Sequence, residues 1–424
     1  MKKIIFLSFV LLLGVHASVF SQTITAAGNQ PIPGINKERV SKINSMLDEA
    51  ISKEQVPGLV AMIVKDGKVI YHEAKGFADV ESNQPMEKNS IFRIASQTKA
   101  ITSTAIMILW EEGKFKLDDP ISKYIPEFKN PQVLNTFRYA DTTFTTRPSS
   151  REITIRHLLT HTSGLGYGVI DGDERMKMIY HKAGVVDLFT TEKVTIEESV
   201  KRLARLPLHH EPGTKYTYSE GLDVLGYLVE IISGKPFDVF LKERIFDPLG
   251  MNDTRFYINE AQAPRLVTVH TRKDNKWASY PVTFYDPAYP KSGAKTFFSG
   301  GAGLSSTTED YAKFLQMYLN GGIYNGKRIL SPHTIHTMMQ NQVGDLWNGD
   351  RYHGIGFGVV TDRGVATGGM GSKGTFDWGG YFNTQYFADP ETGIIGLIFK
   401  QTSGAGNGDE TGWKFRQMVF TLVE

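Results

Sequence analysis

Cysteine is absent from all 424 residues. That absence removes a disulfide framework, a thiol nucleophile, cysteine-ligated zinc and a lipid-attachment residue. Charge of one sign is missing too: Lys+Arg number 47 against 45 Asp+Glu, a formal net charge of +2. With no basic run beyond the N-terminus, the chain has no electrostatic footprint for nucleic acid. No internal repeat, low-complexity tract or Pro/Ser-rich linker divides the middle of the sequence. No G-x-S-x-G elbow and no P-loop occurs, which excludes the α/β-hydrolase nucleophile turn and a phosphate cradle. No cofactor or metal is expected.

What is present is ample core material, 41% hydrophobic residues, enough for one large catalytic body. Lys2 and Lys3 precede an apolar run from Ile4 to Val15, the charged start and hydrophobic middle of a secretory signal. The run is short of the roughly 20 residues that span a bilayer. Cleavage after Ala17 or after Ser21 predicts a periplasmic or secreted protein with no stable membrane anchor; a retained anchor is the alternative. Residues 1–21 are therefore read as signal and 22–424 as one domain.

Val40, Ile43, Leu47 and Ile51 recur at helical spacing, so the mature chain opens with an amphipathic helix. Leu59 to Val64 and Val69 to Tyr71 flank Asp66-Gly67, a strong hairpin signal. The chain closes with a strand from Phe376 to Ala388, a turn at Asp389 to Gly393, a strand from Ile394 to Lys400 and a helix carrying Phe415, Val419 and Leu422. These patterns predict an α/β (α+β) fold: one antiparallel sheet from both chain ends, flanked by the terminal helices. The sheet part covers about 35–99 and 293–424. A mainly helical insertion, about 100–292, carries helices at Ile196 to Arg205 and Asp223 to Ile232 with long polar connections.

Chemistry concentrates at three places. Ser96 and Lys99 stand at the start of a helix whose Ile101, Ala105 and Ile108 mark one face. Residues at i and i+3 are neighbours, so the Lys99 amine reaches the Ser96 hydroxyl, which needs a base to become a nucleophile. The helix N-terminus adds positive potential for an oxyanion. S-x-x-K alone is common, however, as a capping serine followed by a surface lysine. The second place is Tyr218, at a loop-to-helix junction, with Tyr216 as its rival; a phenol near pKa 10 acts as a base only beside cations such as Lys99. The third is Trp378-Gly379-Gly380-Tyr381, at the start of the first closing strand. Paired glycines there let a substrate approach the backbone, so the N–H of Tyr381 can join that of Ser96 around an oxyanion.

Taken together these elements resemble the serine β-lactamases and penicillin-binding proteins, whose S-x-x-K motif they share. They are most similar to the class C β-lactamases, the family VIII carboxylesterases and the D-amino-acid peptidases. Further ordered matches are Leu117-Asp118-Asp119-Pro120, Ile155 to Leu165, Pro248-Leu249-Gly250-Met251 and Gly300 to Thr307. The resemblance implies a covalent acyl-enzyme on Ser96, proton transfer by Lys99 and Tyr218, and oxyanion N–H groups from Ser96 and Tyr381. Trp378, Gly379, Gly380 and Glu220 would line the substrate pocket. Two positions depart from the β-lactamase pattern: Trp378 stands where Lys begins the strand motif, and Glu220 where Asn ends the tyrosine motif. Both favour a small neutral ester or amide over a penicillin. The alternatives are a β-lactamase or a D-alanyl-D-alanine carboxypeptidase or D-aminopeptidase acting on cell-wall peptides, and a non-catalytic binding or sensor protein.

Three other patterns are set aside. Lys291-Ser292-Gly293 imitates the lysine strand motif but reads as loop. His157 and His161 lack the Glu of H-E-x-x-H and read as a structural turn. His209-His210-Glu211 reads as a solvated pair.

Overall fold

The computed structural model describes residues 22–26, 34–186, 188–403 and 408–423. The expected signal, residues 1–21, lies outside the described residues. Among those described, no helix is long and apolar enough to cross a membrane.

The strands of the main sheet are β1 (Thr25–Ala26), β2 (Gly58–Lys65), β3 (Lys68–Asp79), β4 (Gln84–Pro85), β5 (Arg351–His353), β6 (Gly358–Val360), β7 (Phe376–Gly379), β8 (Thr384–Asp389) and β9 (Ile394–Phe399). Their order is β1-β3-β2-β9-β8-β7-β6-β5, with β4 on the edge of β3. Every pairing is antiparallel except that of β1 with β3. The two chain ends thus meet at the β2–β9 seam, where Val60 pairs with Phe399 and Lys65 with Ile394.

β2 is buried on both faces, and its period-2 alternation divides the core. Leu59, Ala61 and Ile63 pack with Ile43 and Leu47 of the first helix, α1 (Lys37–Ser52), and with Phe415 and Val419 of the last, Thr411–Phe420. Val60, Met62 and Val64 belong to the larger core on the opposite face, with Ile101 and Ala105 of α2 (Thr98–Glu111) and Tyr311 and Leu315 of the helix Thr308–Leu319. Each such side chain contributes about 1.5–3 kcal/mol on burial.

The structure differs from the sequence expectations in several elements. The strand expected from Phe376 to Ala388 is two strands, because Gly380 N–H donates to Thr384 O (2.8 Å) and closes a turn in which Asn383 has φ +70°. Trp378-Gly379-Gly380 therefore ends β7 rather than opening a long strand. Within the part expected to be mainly helical lies the hairpin Gln132–Arg138 with Thr143–Pro148. Its exposed polar residues bury little, so hydrophobic alternation does not announce it. A second hairpin pairs His270–Lys273 with Lys276–Ser279. Lys291 and Ser292 end a short helical turn, Tyr289–Ser292. Helix α2 is buried on every side from Thr98 to Leu109, not on one face. Two of its buried hydroxyls are accommodated because Thr102 donates to Gly300 O and Thr104 to Ala100 O, both at 2.7 Å.

Candidate active site

Ser96 lies in a 3₁₀ turn, Ala95–Gln97, that runs directly into α2. Ala95 has φ +45°, a left-handed backbone that costs an alanine about 1–2 kcal/mol. The surrounding chain holds it there. Arg93 exchanges two hydrogen bonds with the Gln401 side chain, Arg93 N to Oε1 (3.0 Å) and Nε2 to Arg93 O (3.1 Å). Ile94 N donates to Leu304 O (3.0 Å), Leu304 N to Thr98 Oγ1 (3.2 Å) and Tyr311 Oη to Gln97 O (2.9 Å). The Gly300 to Thr307 segment is thereby a clamp on the turn that carries Ser96.

Lys99 is 3% exposed and spends its three N–H donors on three acceptors: Gly301 O (2.7 Å), Tyr167 Oη (3.0 Å) and Ser96 Oγ (3.3 Å). An ammonium has three donors, and all are placed. Tyr218 Oη donates to Ser96 Oγ at 2.7 Å. The Lys99 nitrogen sits 4.7 Å from the Tyr218 ring centroid and 5.3 Å from that of Tyr167, and the two phenol rings stack at 5.4 Å. Ser96, Lys99 and Tyr218 are thus brought together as expected, from positions 122 residues apart. Tyr216 is not in this set: its ring stacks on Trp347 at 5.2 Å, and burial pushes its phenol well above the ordinary value.

Two residues position the set from behind. His161 brackets Tyr218: Thr217 N donates to His161 O (2.8 Å) and Ser219 N to His161 Nδ1 (3.1 Å). Burial above all, with smaller contributions from the neighbouring His353 and Lys99, holds the His161 imidazole well below its usual pKa, so it stays neutral. The structural-turn reading of His161 thus stands, with a positioning task added. Asp223 accepts from Ser299 Oγ (2.7 Å) and Gly301 N (3.1 Å), fixing the turn whose carbonyl receives Lys99. Burial raises its pKa.

Tyr167 is the main residue that sequence reasoning missed as chemistry. The signal was its place just past the Ile155 to Leu165 match, two residues beyond Leu165. His209 and His210 are not solvated: His209 Nε2 lies 2.9 Å from Asp171 Oδ2, which also accepts from Tyr167 N (2.8 Å), and His210 is 8% exposed. Glu220 does not line the pocket. It is 2% exposed, and its charge acts on the buried Tyr180 phenol.

β7 reaches the site through Gly380. A Cβ there would stand 2.5 Å from Ile94 O and clash with Thr384 Oγ1, so glycine permits the strand end to rest on the turn that carries Ser96. Among the described residues the Tyr381 N–H donates to no acceptor, and the Ser96 N–H, in the first turn of a helix, has no intrahelical one. The Tyr381 ring is 41% exposed and meets Phe189, Tyr285 and Phe382 at 5.2–6.3 Å. Trp378 stacks on Tyr218 at 6.2 Å.

A sheet built from both chain ends, with a serine held against a lysine and a phenol on a buried helix, defines a serine hydrolase of the penicillin-recognising architecture. The Beta-lactamase family model matches residues 43–417, and the chain belongs to that family. It is 30% identical over 386 residues to Esterase EstB of Burkholderia gladioli, covering 86% of this chain and 91% of that one. It is 33% identical over 361 residues to Protein Rv1367c of Mycobacterium tuberculosis, covering 81% and 85%. Among solved structures, EstCE1, described as a hydrolase with promiscuous acyltransferase activity, superposes with TM-score 0.76 at 28% identity over 90% of this chain and 99% of its own.

Proposed function

We propose that the protein hydrolyses small neutral esters through an acyl-enzyme on Ser96. The carrying observation is the convergence of Tyr218 Oη and Lys99 Nζ on Ser96 Oγ. Lys99 and Tyr218 act as base when they hold one proton fewer than an ammonium and a phenol together. Ser96 Oγ then bonds to the acyl carbon while its proton passes to the pair. The oxyanion is received by the N–H groups of Ser96 and Tyr381, and the proton moves on to the leaving oxygen as its bond to the acyl carbon breaks. Water repeats the sequence on the acyl-enzyme.

Trp378 in place of a strand-motif lysine argues for a neutral substrate, because no cation stands there to hold a carboxylate. EstB, named as an esterase, supports ester chemistry, and EstCE1, described as a hydrolase with promiscuous acyltransferase activity, supports acyl transfer. The test is labelling with a fluorophosphonate followed by peptide mass spectrometry, beside p-nitrophenyl acetate hydrolysis by the wild type and Ser96→Ala. Label on the peptide carrying Ser96 and loss of turnover in the variant are expected; near-wild-type turnover by Ser96→Ala would overturn the reading. Nitrocefin should be a poor substrate, and rapid turnover of it would return the β-lactamase alternative. The reading includes export by residues 1–21, tested by N-terminal sequencing of the mature protein.

A further inference from the structure

Tyr218 has three aromatic neighbours: His161 (4.5 Å), Tyr167 (5.4 Å) and Trp378 (6.2 Å). The first two are 1% exposed, and Trp378 is half-buried. Of the three, Trp378 is the one that reaches solvent. Trp378 meets Trp347 edge-on at 5.9 Å, and Trp347 stacks on Tyr216 at 5.2 Å with an interplanar angle of 28°. Trp347 and Tyr216 are also half-buried. Beneath the three lies His353, 5.4–5.6 Å from each and 2% exposed. The result is a continuous wall of flat rings beginning at the nucleophile, and no charged side chain belongs to it. The two tryptophans also edge a cavity of about 710 Å³ that lies between the sheet and the helix Thr411–Phe420, where Arg351 and Arg416 both pair with Asp377.

The direction of proton flow decides which half of an ester meets this wall. Lys99 is enclosed by Tyr167 and Gly301, so Tyr218 Oη is the group that can hand a proton to a leaving oxygen. The substituent on that oxygen then lies beside Trp378. We propose that Trp378, Trp347 and Tyr216 form the leaving-alcohol subsite and that it takes a flat, uncharged aryl or conjugated group. This rests on the acyl-enzyme reading above. The acyl half faces the second cluster, Tyr381 with Phe189 and Tyr285. In the step itself the bond from Ser96 Oγ to the acyl carbon forms, the bond from that carbon to the alcohol oxygen breaks, and the serine proton ends on that oxygen.

The test compares Trp347→Ala and Trp347→Phe with wild type on two ester series: acetates of benzyl, 2-naphthylmethyl, ethyl and butyl alcohols, and p-nitrophenyl esters of acetic, butyric and benzoic acids. In the first series the aryl-over-alkyl ratio of kcat/KM should fall roughly three- to tenfold in Trp347→Ala, the size of one aromatic contact, and recover largely in Trp347→Phe. In the second series the selectivity among acyl groups should not change. A variant effect that follows the acyl group, or that scales all esters alike, would overturn the assignment. Absence of Ser96-dependent turnover on any ester would sink the parent reading alone. The subsite is then decided by calorimetric binding of 2-naphthylmethanol, which must weaken in Trp347→Ala for the proposal to stand.

Discussion

The two sides of Ser96 are built on opposite principles. On one side Lys99, Tyr167, Gly301 and Tyr218 form a small polar set in which all three Lys99 N–H groups and the Tyr218 hydroxyl have acceptors. On the other, Trp378, Trp347, Tyr216 and His353 touch through ring faces and edges alone. The polar side tolerates almost no displacement, because hydrogen bonds weaken steeply with distance and angle. The aromatic side is held by area and shape, which degrade gradually. Chemistry should therefore fail abruptly when the first is altered, and selectivity should drift when the second is.

The largest break in that contrast should come from Lys99→Met and Tyr218→Phe. Each is expected to lower kcat on p-nitrophenyl acetate about 10²–10⁴-fold, the usual share of a positioned proton-transfer group, with KM moved much less. A drop of only a few-fold in either would dissolve the distinction between the two sides.

Gly380→Ala should follow. Its Cβ would press on Ile94 O and Thr384 Oγ1 and shift the Tyr381 N–H, with a loss of about 10²-fold in kcat, the size of one missing oxyanion donor. Full activity in this variant would separate β7 from the chemistry.

The aromatic side can be probed by acid. Burial holds His353 down to about 4, below its unfolded value near 6.5. Between these pH values the unfolded chain binds the proton and the folded one does not. The group therefore adds no penalty above pH 6.5, and stability falls as pH drops toward 4, by about 3 kcal/mol at the lower end. Thermal melts at pH 7.5 and 4.5 should show a smaller acid loss in His353→Gln than in wild type, after allowing for any fixed cost of the substitution. An unchanged pH dependence would mean that His353 is not held neutral in the fold.

The smallest effect is expected from Lys291→Ala, which should leave kcat/KM within about twofold, as surface changes away from a site usually do. A fall comparable to that of Lys99→Met would revive Lys291-Ser292-Gly293 as the strand motif.

The same contrast explains what could be read from the sequence. Polar chemistry was legible because it lies in short, ordered strings: Ser96 and Lys99 are one helical turn apart, and Tyr218 stands at a loop-to-helix junction further along the chain. The sheet was legible from alternation around Asp66-Gly67 and Asp389 to Gly393. The aromatic wall was not, because Trp347 comes from a four-residue turn, Gly344–Trp347, with no periodicity to mark it. Tyr167 was hidden in a loop whose path is set by Asp171 and His209, partners that no local pattern joins. Glu220 was misplaced for a related reason: a residue beside Tyr218 in sequence turns its side chain into the interior at the start of the helix Gly221–Ser233.

The hold on Lys99 has one more consequence. Of its three contacts, those to Gly301 and Tyr167 are shorter, and the one to Ser96 is the longest and weakest. In the mechanism proposed above, the proton that Lys99 gives up is the one on the vector aimed at Ser96, so that the nitrogen lone pair would emerge facing the serine hydroxyl. Activation then asks for a relocated hydrogen and little heavy-atom reorganisation, and the enzyme can be poised for turnover while standing almost still.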